Sequence, residues 1–437
     1  MAKSTCMDRR TFLRLGGLTL VISSVDPKWV SALGDPRLER LRGAQASGKT
    51  LVYIFQRFGC DGLNVVVPTD AAEYGIYKSY RPTLGIGAAA TDPLLTAQQL
   101  TPQWCLNPVT KAGIYSLYQQ GKMAVFPDMG YPNASRSHFD SQMFVDNGTP
   151  WDKTTPDGWL NRYLQGQPDP ANSLRALSFG SSLPVSLVGP QPALAFSDLS
   201  SLAVSGNGTR NTAYLNLMKK VYAKPTPGRA YDDEMVLAGG GLVDAINQIT
   251  AQALPAPAPQ PPYAYPTNST FANQLSQLAQ LIRTDKFAIE VAEVDFGGWD
   301  THSGQQSQSD PVSGYFPDHV REFSDAIAAF VSDLGAARMA NTVILTTSEF
   351  GRTSRENGNV GTDHGSGWAS FAIGGGVKPG VYHGPGGWKG LANLREDRDI
   401  DYSLDYRDFL LTALDKHMGA ATGPIFPGWT YTPQAYL

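Results

Sequence analysis

The stretch Phe287-Ala-Ile-Glu-Val-Ala-Glu-Val294, followed closely by Gly297-Gly-Trp-Asp-Thr-His302, decides how the rest of the chain is read. The first eight residues are mostly apolar, with the β-branched side chains that suit a buried strand. The next six set Asp300 and His302 just beyond that strand, beside two glycines and a tryptophan. A strand end of this kind is either a polar turn or one corner of a metal site.

The same arrangement recurs on both sides. Leu51-Val-Tyr-Ile-Phe55 is a strand that runs into Gly59-Cys-Asp-Gly62, which places Asp61 just past its end. A helix around Val109 to Gln120 leads to the strand Met123-Ala-Val-Phe126. Tyr131-Pro-Asn-Ala-Ser-Arg-Ser-His-Phe139 follows, with Ser135 placed to cap a helix. Helices are expected over about Asn273–Arg283 and over Pro317–Ala336. The second carries Phe323, Ile327, Phe330, Val331 and Leu334 on one face. Thr342–Thr347 reads as a strand ending in Ser348-Glu-Phe-Gly-Arg-Thr353. A glycine-rich loop then reaches Gly361-Thr-Asp-His-Gly365, before the strand Phe371–Gly374 and a last helix from Leu404 to Met418. Strands alternating with helices predict an α/β fold: a mainly parallel central sheet with helices on both faces.

Residues 48–437 read as a single domain. From about 197 to 266 the texture turns to Ser, Asn and Gly, with one helix near Asp232–Ala253 and the stiff tract Leu254-Pro-Ala-Pro-Ala-Pro-Gln-Pro-Pro262. This segment is expected to be a loop-rich insertion on the domain surface. With 42% hydrophobic and 17% charged residues, the 437-residue chain can bury a large core. Its net charge of −4 and lack of a basic stripe argue against a nucleic-acid partner.

Asp8-Arg-Arg-Thr-Phe-Leu-Arg14 precedes a short apolar run, Leu15 to Val25. That is the pattern of a twin-arginine export signal. Residues 1–47 are therefore read as signal peptide and leader, with the twin-arginine translocase as partner during export and a periplasmic or extracellular destination. The run is too short for a permanent membrane span. Cys6 belongs to the signal, so Cys60 and Cys105 leave room for one disulfide at most.

In an open α/β sheet, ligands bind in the crevice at the carboxyl ends of the strands. Asp61, Asp300, His302 and Glu349 all fall there. Asp363 and His364, in a glycine-bounded loop, and His138 can reach the same rim. Carboxylate oxygens and imidazole nitrogens suit one or two divalent ions of Zn, Mn, Ca or Mg. Each position also has a plain reading: Asp61 as a turn residue, Asp300 as a helix cap beside a surface histidine, Glu349 as an ion-pair partner of Arg352. His319, His383 and His417 read as structural or solvent-facing.

Six ordered blocks, Gly59-Cys-Asp-Gly-Leu-Asn64, Ser135-Arg-Ser-His-Phe139, Gly298-Trp-Asp-Thr-His302, Ser348-Glu-Phe-Gly-Arg-Thr353, Thr362-Asp-His-Gly365 and Asp405-Tyr-Arg-Asp408, carry a resemblance. The chain resembles the family known as domain of unknown function 1501, twin-arginine-exported bacterial proteins related to the alkaline-phosphatase-like superfamily. The resemblance implies an alkaline-phosphatase-like sandwich and an exported metal-dependent hydrolase of phosphate or sulfate esters. It implies Asp61, Asp300, His302, Glu349 and His364 as metal ligands, with Asp363 and His138 beside them. Ser135, or Ser137, would be the nucleophile. Arg136, Asn64 and Arg352 would meet the anionic ester. Two departures are plain: Phe350 stands where the superfamily places a histidine ligand, which leaves one metal position short, and the Asp300–His302 spacing is tighter than the superfamily's. The other reading is a non-catalytic exported protein that keeps this fold for binding or assembly.

Overall fold

A computed structural model of the chain describes residues 18–20, 48–167, 172–199, 217, 220 and 232–437. The twin-arginine motif, the cleavage region, Cys6 and much of the 197–266 segment lie outside the described residues. The strands are β1 (Leu18–Leu20), β2 (Thr50–Gln56), β3 (Val66–Pro68), β4 (Gln99–Thr101), β5 (Trp104–Leu106), β6 (Met123–Gly130), β7 (Ala176–Phe179), β8 (Leu194–Phe196), β9 (Val291–Phe296), β10 (Thr342–Ser348), β11 (Trp368–Gly374), β12 (Gly380–Val381) and β13 (Leu404–Asp405).

The main sheet runs β1-β8-β7-β9-β2-β10-β11-β6-β12, with β13 also on β6. Its centre is parallel. Leu51 pairs with Val291 on one side and with Val343 on the other. β11 is antiparallel to both β10 and β6, so β6 points the same way as β10. The ends of β9, β2, β10 and β6 therefore open onto one edge. A smaller antiparallel sheet, β3-β5-β4, stands beside it.

Side chains on a strand alternate between faces, and here both faces are apolar because both are covered. Val52 and Ile54 join one core with α3 (Ile114–Gln119), α6 (Asp232–Thr250), α7 (Thr270–Arg283) and α8 (Tyr315–Met339). Leu51, Tyr53 and Phe55 join the other with α4 (His138–Asn147), α5 (Trp159–Gln165) and α9 (Tyr406–Lys416). Two further helices, α1 (Gly62–Val65) and α2 (Ala71–Tyr80), precede and follow β3 of the small sheet. The expected sheet with helices on both faces is present.

Some expectations need correction. The strand expected over 287–294 runs from Val291 to Phe296; just before it the Glu290 backbone bonds Arg175 O and accepts from Leu51 N, and its carboxylate meets Arg175 and the Tyr163 hydroxyl. Helix α7 starts at Thr270 rather than Asn273, because the Ser269 hydroxyl caps it by accepting from Ala272 N at 2.9 Å. Helix α6 is no surface feature, since Leu242, Val243, Ala245, Ile246 and Ile249 sink into the core under the main sheet. The proline-rich tract is pinned along α8 by bonds from Ala258 N to Asp333 and from Gln260 N to Ser332 Oγ. Cys60 and Cys105 are both buried free thiols. No described helix is long and apolar enough to cross a membrane.

The turn that follows β9 is held by aromatic packing. Trp299 is fully buried against Phe316, Phe323 and His319, and the His319 ring stacks on Phe296 at 4.2 Å. Gly298 has φ +100, and a Cβ there would meet the Tyr315 hydroxyl at 2.7 Å, so only glycine fits this turn. Burial lowers the His319 pKa to about 4. The folded imidazole thus stays neutral while the unfolded chain takes up a proton near pH 6.5. Between those values the unfolded state binds more protons, so stability falls as pH drops, by at most about 1.4 kcal/mol per pH unit from this group. Urea midpoints at pH 7 and pH 5 should therefore differ more for the wild type than for His319→Gln; equal differences would exclude this role.

Candidate metal centre

The edge where the parallel strands end collects side chains from five segments. β9 runs into Asp300 and His302. β10 runs into Glu349, Phe350 and Arg352. The loop after it carries Asp363 and His364, β2 leads to Phe58 and Asp61, and α4 begins with His138. Among the described residues, one group has ligand atoms all within 4.8 Å of one another: His138, Asp300 and His364.

Each imidazole is anchored through Nδ1. His138 Nδ1 meets Glu349 Oε1 at 2.9 Å, His302 Nδ1 meets Asp363 Oδ1 at 3.0 Å, and His364 Nδ1 meets the Arg136 carbonyl at 2.7 Å. A carbonyl or carboxylate oxygen can only accept, so all three rings carry their proton on Nδ1 and turn the Nε2 lone pair inward. The inward atoms converge. His302 Nε2 and His364 Nε2 lie 3.0 Å apart, each is 3.0 Å from Asp300 Oδ1, and His138 Nε2 is 3.5 Å from the same oxygen. Buried His138 Nε2 has no hydrogen-bond partner. His138 Nε2, His364 Nε2 and Asp300 Oδ1 form one close group, with His302 Nε2 beside the last two, and acceptors set so close repel unless a proton or a cation stands among them. The donor set therefore fits a divalent ion.

Electrostatics agree with that account. Burial alone would lower the His138 imidazole, but the bond and charge of Glu349, with Asp300, raise it above the ordinary value. Burial works to raise Asp300, yet the Arg352 guanidinium and His364 hold it below the usual carboxylate range. His364 is lowered, chiefly by burial. The cluster opens to solvent on the side of His302, whose side chain is 45% exposed.

Several expected ligands have other duties. Glu349 is fully buried and faces away from the cluster. Its Oε1 accepts from Phe58 N at 2.8 Å, His138 Nδ1 and Gln142 Nε2, so it orients His138 and forms no ion pair with Arg352. Asp61 gives both oxygens to Arg81 at 2.8 Å and also accepts from Gln305 Nε2 at 2.6 Å. Asp363 holds His302. Phe350 forms a floor, its ring 4.9 Å from the His138 and His364 rings. His364 sits between glycines because the loop crosses other backbone closely: a Cβ on Gly365 would meet the Arg352 carbonyl carbon at 2.4 Å.

The expected substrate-binding groups are likewise engaged. Arg352 is buried, donating to Asp300 Oδ1 at 2.7 Å and to Thr362. Asn64 is sealed among Leu84 O, Tyr77 and Arg81. Arg136 pairs with Asp399 at 2.8 Å and with Glu396 at 2.6 Å. The cap of α4 is Ser137 rather than Ser135, and the Ser135 hydroxyl accepts from Ser137 N at 3.3 Å. His383 bonds Asp128, while His319 and His417 are packed into the fold, the last bonding the Asn341 carbonyl. Sequence reasoning missed Arg81, Gln142 and Gln305, because long side chains in ordinary helix and loop contexts carry no local signal of what they reach.

The chain belongs to the family described as protein of unknown function (DUF1501), which matches residues 48–424. No curated protein matches it. Among solved structures, a sulfatase from Pseudoalteromonas sp. is 14% identical with TM-score 0.35, over 89% of this chain and 71% of that one. A phosphonate monoester hydrolase from Silicibacter pomeroyi is 11% identical with TM-score 0.29, over 89% of this chain and 78% of the other.

Since Glu349 fixes the tautomer and direction of His138, Glu349→Gln should weaken metal binding by about 10- to 100-fold. Zinc titration against a competing chelator, with circular dichroism as the check on folding, measures this. Unchanged affinity in a folded variant would remove Glu349 from the support of the site.

Proposed function

We propose that this DUF1501 protein is an exported, metal-dependent hydrolase of anionic esters, phosphate or sulfate, acting in the periplasm or outside the cell. The observation that carries the reading is the convergence of three imidazole Nε2 atoms and one carboxylate at an open strand-end crevice. His138, Asp300 and His364 would hold the ion, with His302 as the exposed fourth donor. An ion bound there supplies Lewis-acid polarisation of an ester oxygen.

The protein's own groups would do the rest. Glu349 and the Arg136 carbonyl keep the His138 and His364 rings aimed inward, so their geometry is set before substrate arrives. In α4 the Ser141 amide bonds the Ser137 carbonyl, so the amides of His138, Phe139 and Asp140 precede the helix ladder. Such a helix start favours an anionic group. Water is the simpler nucleophile, since the Ser135 hydroxyl serves the turn before α4.

One observation favours a second reading, a non-catalytic protein that binds or assembles through this fold: Asn64, Arg136 and Arg352 are each engaged within the molecule. Aryl phosphates, aryl sulfates and phosphonate monoesters, assayed with zinc- and manganese-loaded protein across pH, decide between them. Hydrolysis is expected, with His364→Ala lowering kcat/KM by at least about 100-fold, as the loss of several kcal/mol of charge stabilisation requires. A clean negative in metal-loaded protein would support the binding reading instead.

A further inference from the structure

We infer that the site takes one ion per chain, of the borderline zinc type rather than calcium or magnesium, and that Arg81 stands in place of a second ion at Asp61. This rests on the metal-holding reading above and adds the number and class of the ion.

The count follows from Arg81. Its side chain is fully buried, and all five N–H groups are used. Nε donates to Ser354 O at 3.0 Å, Nη1 to Asp61 Oδ2 and Asn64 Oδ1 at 2.8 Å each, and Nη2 to Asp61 Oδ1 at 2.8 Å and Thr353 O at 2.9 Å. Asp61 Oδ2 also accepts from Gln305. The hydroxyls of Thr301 and Thr362 hold the Gln305 carbonyl at 2.9 and 3.0 Å, which keeps its amide nitrogen toward Asp61. Both carboxylate oxygens thus face fixed donors. A cation could reach them only by expelling a buried guanidinium, which would be left without its counter-charge.

The class follows from the donors. Calcium takes six to eight oxygens, and magnesium prefers an octahedral shell of oxygens rich in water. Here the close group has two imidazole nitrogens, of His138 and His364, a third from His302 lies beside them, and only Asp300 offers an inward carboxylate. Glu349 faces away, Asp363 is held by His302 and Asn357, and the Phe350 ring closes the floor. A nitrogen-rich set of about four donors suits Zn²⁺ and its neighbours in the transition series.

The test uses the full chain, stripped with chelator and reloaded separately with zinc, manganese, calcium or magnesium. Elemental analysis and native mass spectrometry after desalting give stoichiometry. One equivalent of zinc, no retained calcium or magnesium, zinc kept by Asp61→Asn and zinc lost in His364→Ala are the expected results. Two equivalents, selective retention of calcium or magnesium, or loss of the ion in folded Asp61→Asn would overturn the inference while leaving a metal site in place. Retention of no ion at all would overturn the metal reading beneath it as well. Should Asp61→Asn fail to fold, the wild-type stoichiometry and ion preference still decide.

Discussion

A guanidinium shut away from water must find acceptors, and Arg352 finds them on two separate segments. It leaves the end of β10, takes the Asp300 carboxylate after β9, and takes the hydroxyl and carbonyl of Thr362 in the loop that carries His364. Removing the Asp300 carboxylate would leave this buried guanidinium without its counter-charge. The position of Asp300 relative to His364, and so the meeting point of the imidazoles, depends on this one side chain. An arginine expected to face substrate is instead the tie that assembles the rim.

The sequence showed where the chemistry sits better than how each residue serves it. Strand ends are legible because apolar runs stop at glycine and polar residues, and parallel topology brings such ends to one edge. Asp300 and His302 are legible that way, and His364 from its glycine-bounded loop. Orientation is another matter. Glu349 stands at a strand end like a ligand, yet the Phe58 amide and the His138 ring turn it aside. Asp61 has the same local appearance, and only the fold brings Arg81 to it across α2. No spacing in the chain reports a contact of that kind.

Packing explains other gaps between expectation and structure. Phe350 looked like a missing ligand, but its ring packs against the His138 and His364 rings. Helix α6 sits in a polar, loop-rich stretch, so its local composition disguised five core side chains. The Glu290 carboxylate just before β9 pairs with Arg175, a long-range contact that no local pattern reports.

The two described cysteines have a consequence for how the fold is completed. Cys60 lies beneath the strand-end crevice and Cys105 in the small sheet, each a buried thiol with no covalent partner. Packing, hydrogen bonds and ion pairs hold the described residues together, with no covalent cross-link among them. The packing of these described residues therefore does not wait on an oxidant or a disulfide isomerase.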